Sequence, residues 1–177
     1  MRLFVALPIP DEVASTLWPL QGGVPGARWQ KREQLHLTLR FIGEVDGHEM
    51  GLIDDALAGI MAPGFTLQLK ATGSFGGNTP RDLWAGVAPN EKLSHLQKKI
   101  ESACQRIGLE SDGRRFTPHV TLARLKHAPF GAVGSWLTQY GLYASPEFEA
   151  DSFCLYSSKL TTDGSIYRIE KEYPLYF

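Results

Sequence analysis

His36-Leu37-Thr38-Leu39 and His119-Val120-Thr121-Leu122 are two copies of one pattern, and their reading decides the fold. In an extended strand, successive side chains alternate between the two faces. His36 and Thr38 therefore share one face while Leu37 and Leu39 occupy the other. His119 and Thr121 stand likewise against Val120 and Leu122. Each copy offers an imidazole and a hydroxyl to one side and anchors itself in a core on the other. Two such strands facing each other would set two proton-transfer groups and two hydrogen-bond donors around one small cavity.

The surrounding sequence repeats with the motifs. The interval from His36 to His119 is also the interval between the strand-like runs that begin at Phe65 and Phe148. The apolar runs beginning at Leu3 and Leu83 are separated by nearly the same interval. Helical spacing follows each, through Val13, Leu17 and Leu20 in one case and Leu93, Leu96, Ile100, Ala103, Cys104 and Ile107 in the other. Strands are predicted over 2–7, 35–41, 65–70, 82–87, through the second motif, and over 148–156 and 166–173. Helices are predicted over 11–20, 46–61, 93–107 and 133–140. Each half thus reads β-α-β-α-β. The expectation is a single α+β domain, 1–177, of two pseudo-symmetric lobes with sequence repeats of about 1–78 and 79–177. A pseudo-twofold axis would bring the two His-x-Thr faces together. The glycine-rich stretch 73–80 between the halves lacks the Lys-Ser or Lys-Thr closure of a phosphate-cradling loop, and is expected to border the cleft.

Composition sets outer bounds. The 177 residues are 43% hydrophobic and 21% charged, ordinary for a soluble globular domain with a sizeable core. The net charge of −1 gives no global basic field for nucleic acid, although a local patch is compatible with it. Cys104 and Cys154 match no metal or redox spacing and read as small core residues. The apolar run 2–7 is interrupted by Pro8 and Pro10, too early for a signal peptide or membrane span, so a cytoplasmic location without membrane attachment is expected.

The paired motifs carry a specific chemistry. Imidazole has a pKa of about 6.5, so near neutral pH one copy accepts a proton while another gives one. In-line displacement at phosphorus needs such groups on opposite sides, a base for entering water and an acid for the leaving oxygen. Thr38 and Thr121 would supply fixed donors to the developing negative oxygens. This chemistry asks for no nucleophilic serine or cysteine, metal ligand set or cofactor. His48, His95 and His127 lie in polar stretches and read as solvated.

The two tetrads, the opening Arg2-Leu3-Phe4-Val5-Ala6-Leu7 and the run Pro118-His119-Val120-Thr121-Leu122-Ala123-Arg124 resemble the two-histidine phosphoesterases. Within them the chain is most similar to the RNA 2′,3′-cyclic phosphodiesterases, or 2′-5′ RNA ligase-like proteins. The likeness continues through Leu83-Trp84-Ala85-Gly86-Val87 and the closing strands, over nearly the whole chain. It implies an antiparallel two-lobed α+β fold with a central cleft. It also implies hydrolysis of a terminal 2′,3′-cyclic phosphate on RNA to a 2′-phosphate, with neither metal nor nucleotide cofactor. RNA bearing that end is the implied partner, and no obligate protein partner is inferred. By the family pattern His36 is the proton donor to the departing 3′ oxygen and His119 the proton acceptor that activates water. From the residues alone these roles are exchangeable. Reverse joining through a 2′-5′ linkage is implied as a side activity. Two other readings use the same residues: a phosphodiesterase of 2′-5′ oligonucleotides or small cyclic nucleotide phosphates, and a non-catalytic RNA-binding module.

Substrate contacts are expected from four further residues. The family commonly carries an arginine at the position of Arg124, yet ideal alternation puts Arg124 behind His119 unless the strand bulges or ends at Ala123. Arg40 shares the parity of His36 and Thr38. Phe41 and Phe116 flank the motifs and are candidates for stacking on a base. Lys31-Arg32 and Arg114-Arg115 each precede a motif strand and could rim the site.

Overall fold

A computed structural model describes residues 1–176; residue 177, the last of the second expected repeat, lies outside the described residues. The interior strand β1 (Arg2–Pro8) is buried on both faces, which is why its sequence is a continuous apolar run. Leu3, Val5 and Leu7 enter the main core, while Phe4 and Ala6 join a smaller layer with Cys154 and Tyr156, covered by Tyr167. On either side of β1 run β3 (His36–Glu44) and β9 (Ser152–Thr161), both antiparallel to it, and β10 (Gly164–Pro174) pairs with β9. In the other half, β6 (Asp82–Val87) runs between β7 (His119–Leu125) and β5 (Leu69–Gly73), and β2 (Ala27–Trp29) pairs with β7. The strand order is β10-β9-β1-β3-β7-β6-β5 with β2 on β7; a separate pair joins β4 (Phe65–Leu67) to β8 (Phe148–Ala150).

Among the described residues, four α-helices pack around this frame: α1 (Asp11–Leu17), α2 (Gly47–Ala58), α3 (Glu91–Arg106) and α4 (Phe130–Tyr140). Asp46 and Glu49 form a reciprocal capping box at the start of α2, and the Asn90 side chain caps α3. Beyond α3, Gly108 takes a φ of +99°, open to glycine at little steric cost. Among the described residues, no helix is long and apolar enough to cross a membrane.

The spacing seen in the sequence recurs element by element. β1 and α1 start at Arg2 and Asp11, and β6 and α3 at Asp82 and Glu91, one constant offset. β3, α2, β4 and β5 start at His36, Gly47, Phe65 and Leu69, and β7, α4, β8 and β9 at His119, Phe130, Phe148 and Ser152, a second constant offset. The pairing crosses over: β5 pairs with β6 and β9 with β1, so each half of the sheet draws strands from both halves of the sequence. Between the halves equivalent residues meet. Leu37 pairs with Val120, and Thr66 with Glu149, both at the offset of the two motifs.

Some elements differ from expectation. The runs predicted over 65–70 and 148–156 each split, at Gln68 and Asp151, where the chain passes from the β4–β8 pair into the large sheet. The short strand β2 was not predicted. The first motif strand, predicted over 35–41, runs on to Glu44 as β3, with Gly43 inside it at a φ of +96°. Pro19 falls in a closing 3-10 turn, Trp18–Leu20, that ends the first helix. Cys104 and Cys154 are free and buried, whereas His48, His95 and His127 are exposed.

Candidate active site

The Leu37–Val120 pair sets the register of the two motifs. Both side chains are fully buried in the main core, so their neighbours along each strand face the other way. Continued by one residue in each direction, this antiparallel register puts Thr121 across from His36 and Thr38 across from His119. The imidazoles then occupy one diagonal of a four-residue patch and the hydroxyls the other. Diagonal neighbours on a sheet face lie about 7–8 Å apart at the backbone, enough to admit a small group between their side chains. All four residues are half-buried, and neither threonine hydroxyl has a hydrogen-bond partner among the described residues.

The two histidines are held in the same way. His36 Nδ1 lies 2.7 Å from the Gln34 carbonyl oxygen, and His119 Nδ1 lies 2.7 Å from that of Thr117. A carbonyl only accepts, so each Nδ1 carries the donated proton and each Nε2 is left for chemistry. The walls match as well. Phe4 stands 4.8 Å from the His36 ring and Tyr167 meets it edge-on at 5.1 Å. Trp84 stands 5.8 Å from the His119 ring and Phe75 meets it edge-on at 5.0 Å. Phe4 and Trp84 hold equivalent places, each the third residue of its strand, in β1 and β6. None of these four aromatic walls stood out in the sequence, because each reads as ordinary core or loop.

Burial in the Phe4, Tyr156 and Tyr167 layer pushes the His36 pKa down to about 4. The Gln34 carbonyl opposes the shift, while the charges of Arg124 and His119 add to it. His36 in the free protein is therefore neutral at pH 7.

Two bulges decide where the arginines go. β1 sets Ala6 against Thr38 and Val5 against Arg40, leaving Leu39 extra; β6 sets Trp84 against Thr121 and Leu83 against Ala123, leaving Leu122 extra. Each extra residue reverses the alternation beyond it. Arg40, expected beside His36, is instead 5% exposed and tied to Glu101 by a 2.6 Å ion pair. It also donates to the carbonyls of Phe41 and Glu110. Burial would raise the Glu101 pKa, yet the donors Arg40, Gln105 and the Asp112 N–H hold it below the usual carboxylate range. Arg40 thus fastens β3 to α3 and reaches the site only as part of its floor. The bulge at Leu122 has the opposite effect on Arg124, which comes out exposed on the side of His119 and Thr121. Its charge is one of the smaller causes that lower the His36 pKa.

A cavity of about 270 Å³ opens on the His119 side, lined by Thr38, His119, Phe41, Phe75 and Phe116 with Arg81, Arg114 and Arg115 at its edge. The sequence candidates Phe41 and Phe116 therefore share one cavity, with Phe41 49% exposed. The glycine-rich stretch contributes Phe75 to it. Arg114 lies 3.2 Å from Asp112, and Arg32 is tied to Asp11 and Ser15 outside both cavities. A second cavity, of about 300 Å³, opens on the His36 side between Gln34, Arg124 and Tyr167. Among the described residues, no three His, Cys, Asp or Glu side chains gather as a metal-ligand set would.

Fold and motifs together define a class of protein in which two His-x-Thr-x strands lie side by side in one antiparallel sheet. Comparison with known proteins specifies it further. Residues 9–161 match the model of the 2'-5' RNA ligase superfamily, and the chain belongs to that family. An RNA 2',3'-cyclic phosphodiesterase of Archaeoglobus fulgidus is 30% identical over 95% of this chain and 97% of its own length. One of Thermus thermophilus is 34% identical over 99% of this chain and 90% of its own. The crystal structure of TT0787 from Thermus thermophilus superposes with a TM-score of 0.83 at 25% identity, covering 98% of this chain and 97% of that one.

Proposed function

We propose that the protein is an RNA 2′,3′-cyclic phosphodiesterase that hydrolyses a terminal 2′,3′-cyclic phosphate to a 2′-phosphomonoester. The observation that carries this reading is the equivalence of His36 and His119. Both donate Nδ1–H to a carbonyl two residues upstream, and among the described residues both leave Nε2 free beside an unpartnered threonine hydroxyl. Relatives of similar length bearing the name of this activity support it.

In the proposed reaction His119 Nε2 takes a proton from water as the oxygen attacks phosphorus. The bond from phosphorus to O3′ breaks on the opposite side, and O3′ receives a proton from His36. The net change is one water added across the P–O3′ bond, and both histidines return to their starting states by exchange with solvent. Thr38 and Thr121 donate to the non-bridging oxygens, and Arg124 balances the charge that grows there. Phe41 and Phe116 offer apolar surface to the terminal nucleoside. These steps ask nothing of a metal or nucleotide cofactor. A 5′-hydroxyl in place of water would give a 2′-5′ linkage by the same transfers, and abundant water favours hydrolysis. We read the two constant offsets between matching elements as the trace of a duplication, with repeats of about 1–78 and 79–177, and take the cytoplasm as the place of action.

The low pKa of His36 bears on its role as donor. Burial is the main cause of that low pKa and the Arg124 charge a smaller one, so acting as donor requires His36 to take up its proton together with the substrate, whose phosphate anion beside the imidazole favours the charged form. The same low pKa is the one observation that favours exchanging the roles, because a neutral imidazole accepts. An activated aryl phosphodiester, whose leaving group needs no proton, separates the two. As donor, His36→Ala loses much less on the aryl ester than on cyclic phosphate, while His119→Ala loses heavily on both.

The deciding experiment identifies the product from a short RNA ending in a 2′,3′-cyclic phosphate. A 2′-phosphate is expected. A 3′-phosphate reverses the leaving group, and no turnover with intact RNA binding favours a binding module.

A further inference from the structure

We infer that Arg28 and Lys31 extend the site into a second anion subsite, which holds the internucleotide phosphate one step back from the reacting end of the RNA. This rests on the reading above. Arg28 stands directly opposite Arg124 across the β2–β7 pair. Two like charges directly opposed across strands destabilise a sheet. A strand of only three residues, Ala27–Trp29, has little pairing energy to absorb that.

Asp82 of β6 stands opposite Arg124 on the other side of β7, but its carboxylate accepts from the Phe75 N–H and makes no ion pair with Arg124 among the described residues. Neither arginine, nor Lys31, has a carboxylate within 4.0 Å among the described residues, and the one hydrogen bond of the Arg28 side chain goes to a neutral acceptor, the Thr162 carbonyl, at 3.3 Å. Asp163 is the one carboxylate lining the 300 Å³ cavity into which all three cations face. Cations crowded together in a cavity without matching carboxylates are what a phosphate group would neutralise.

The position of this cavity selects which phosphate. Its wall is shared with His36: Gln34 supplies the carbonyl that holds Nδ1, and Tyr167 meets the imidazole edge-on. Arg124 belongs to both places, since it borders this cavity and its charge acts on His36. Arg28, opposite it, is one strand farther from the histidines. The cavity on the other side offers Phe41, Phe75 and Phe116, surfaces suited to a nucleoside. A chain with its terminal nucleoside there and its cyclic phosphate between the imidazoles has its next phosphate available to Arg28 and Lys31. A mononucleoside cyclic phosphate has nothing to place there.

The test compares a dinucleotide ending in a 2′,3′-cyclic phosphate with a mononucleoside 2′,3′-cyclic phosphate, in wild type and in Arg28→Gln, Arg28→Lys and Lys31→Gln. The expected wild type favours the dinucleotide in kcat/KM. Losing one charge-assisted contact lowers that preference about tenfold in Arg28→Gln, mainly through KM. Arg28→Lys restores most of it, and Lys31→Gln shifts it the same way by less. The salt dependence of the dinucleotide reaction falls in slope by about 0.7 in Arg28→Gln. An equal fall on both substrates would make Arg28 a support for the β2–β7 pairing and overturn the subsite; so would an unchanged preference. If the unaltered protein turns over neither substrate, the proposed activity fails and the subsite falls with it, a result visible before any variant is made.

Discussion

Among the described residues Leu37 and Val120 are the one ladder pair of β3 and β7, and each is the second residue of a His-x-Thr-x tetrad. The two halves of the sheet are joined where the two motifs touch. The pair is fully buried, so the core that stabilises the fold also fixes the register in which each imidazole faces the other motif's hydroxyl.

The hydroxyls of Thr38 and Thr121 have no partner in the protein among the described residues and are surplus to its folding. Thr38→Ala and Thr121→Ala should therefore melt within a degree or two of wild type. Losing one transition-state donor should lower kcat by about 100-fold. Steady-state kinetics beside thermal melts would show this; a large stability loss in either variant would mean its hydroxyl supports the strand instead.

The two arginines should separate stability from activity. Arg40→Ala empties a buried site and leaves the half-buried Glu101 with only Gln105 and the Asp112 N–H as donors, and should cost about 2–3 kcal/mol of unfolding free energy. Arg124→Ala removes an exposed side chain that makes no ion pair among the described residues, and should leave stability almost unchanged while lowering kcat/KM at least tenfold. Urea titrations and kinetics on both variants check the division, and a reversal of the pattern would restore the alternating-strand assignment.

That assignment shows where the sequence stopped being legible. The faces of His36, Thr38, His119 and Thr121 follow from plain alternation, and the structure has them so. Alternation also predicted Arg40 in the site and Arg124 behind it, and the bulges at Leu39 and Leu122 reverse both. A bulge is a relation between a strand and its neighbour, here β1 and β6, so nothing local to the motif announces it. The helices and apolar strands were readable from periodicity. β2 was not, because three residues are too few to show a period, and its place beside β7 depends on tertiary pairing. The aromatic walls Phe4, Tyr167, Phe75 and Trp84 were hidden in the same way, since their contacts with the histidines arise only in the assembled sheet.

His36 should leave a mark on pH-dependent stability. Its pKa is about 4 folded and about 6.5 unfolded, so the unfolded chain binds more protons between these values. The stability due to neutral His36 is fully present above about pH 6.5 and is lost as pH falls toward 4. The whole effect is at most about 3 kcal/mol, and less where water reaches the ring. Denaturant midpoints at pH 7.5 and 4.5 should fall further for wild type than for His36→Gln; parallel falls would contradict the buried neutral imidazole.

Gly73 is the close-approach position behind His119. A Cβ there would lie 2.2 Å from the Trp84 ring, which itself stands against His119. Gly73→Ala must move a rigid aromatic wall and should cost about 1–3 kcal/mol. It should also lower kcat, because the imidazole loses its backing. Melting and kinetics test both, and an unchanged kcat would separate the Trp84 wall from catalysis.

The most direct test is single-turnover cleavage of a cyclic-phosphate-ended RNA by His36→Ala, His119→Ala and the double variant. Each single variant should lose at least about 1000-fold, and the double variant little more than the worse single one, because the two imidazoles act in one event. Near-normal cleavage by either single variant, with the fold intact, would contradict the account.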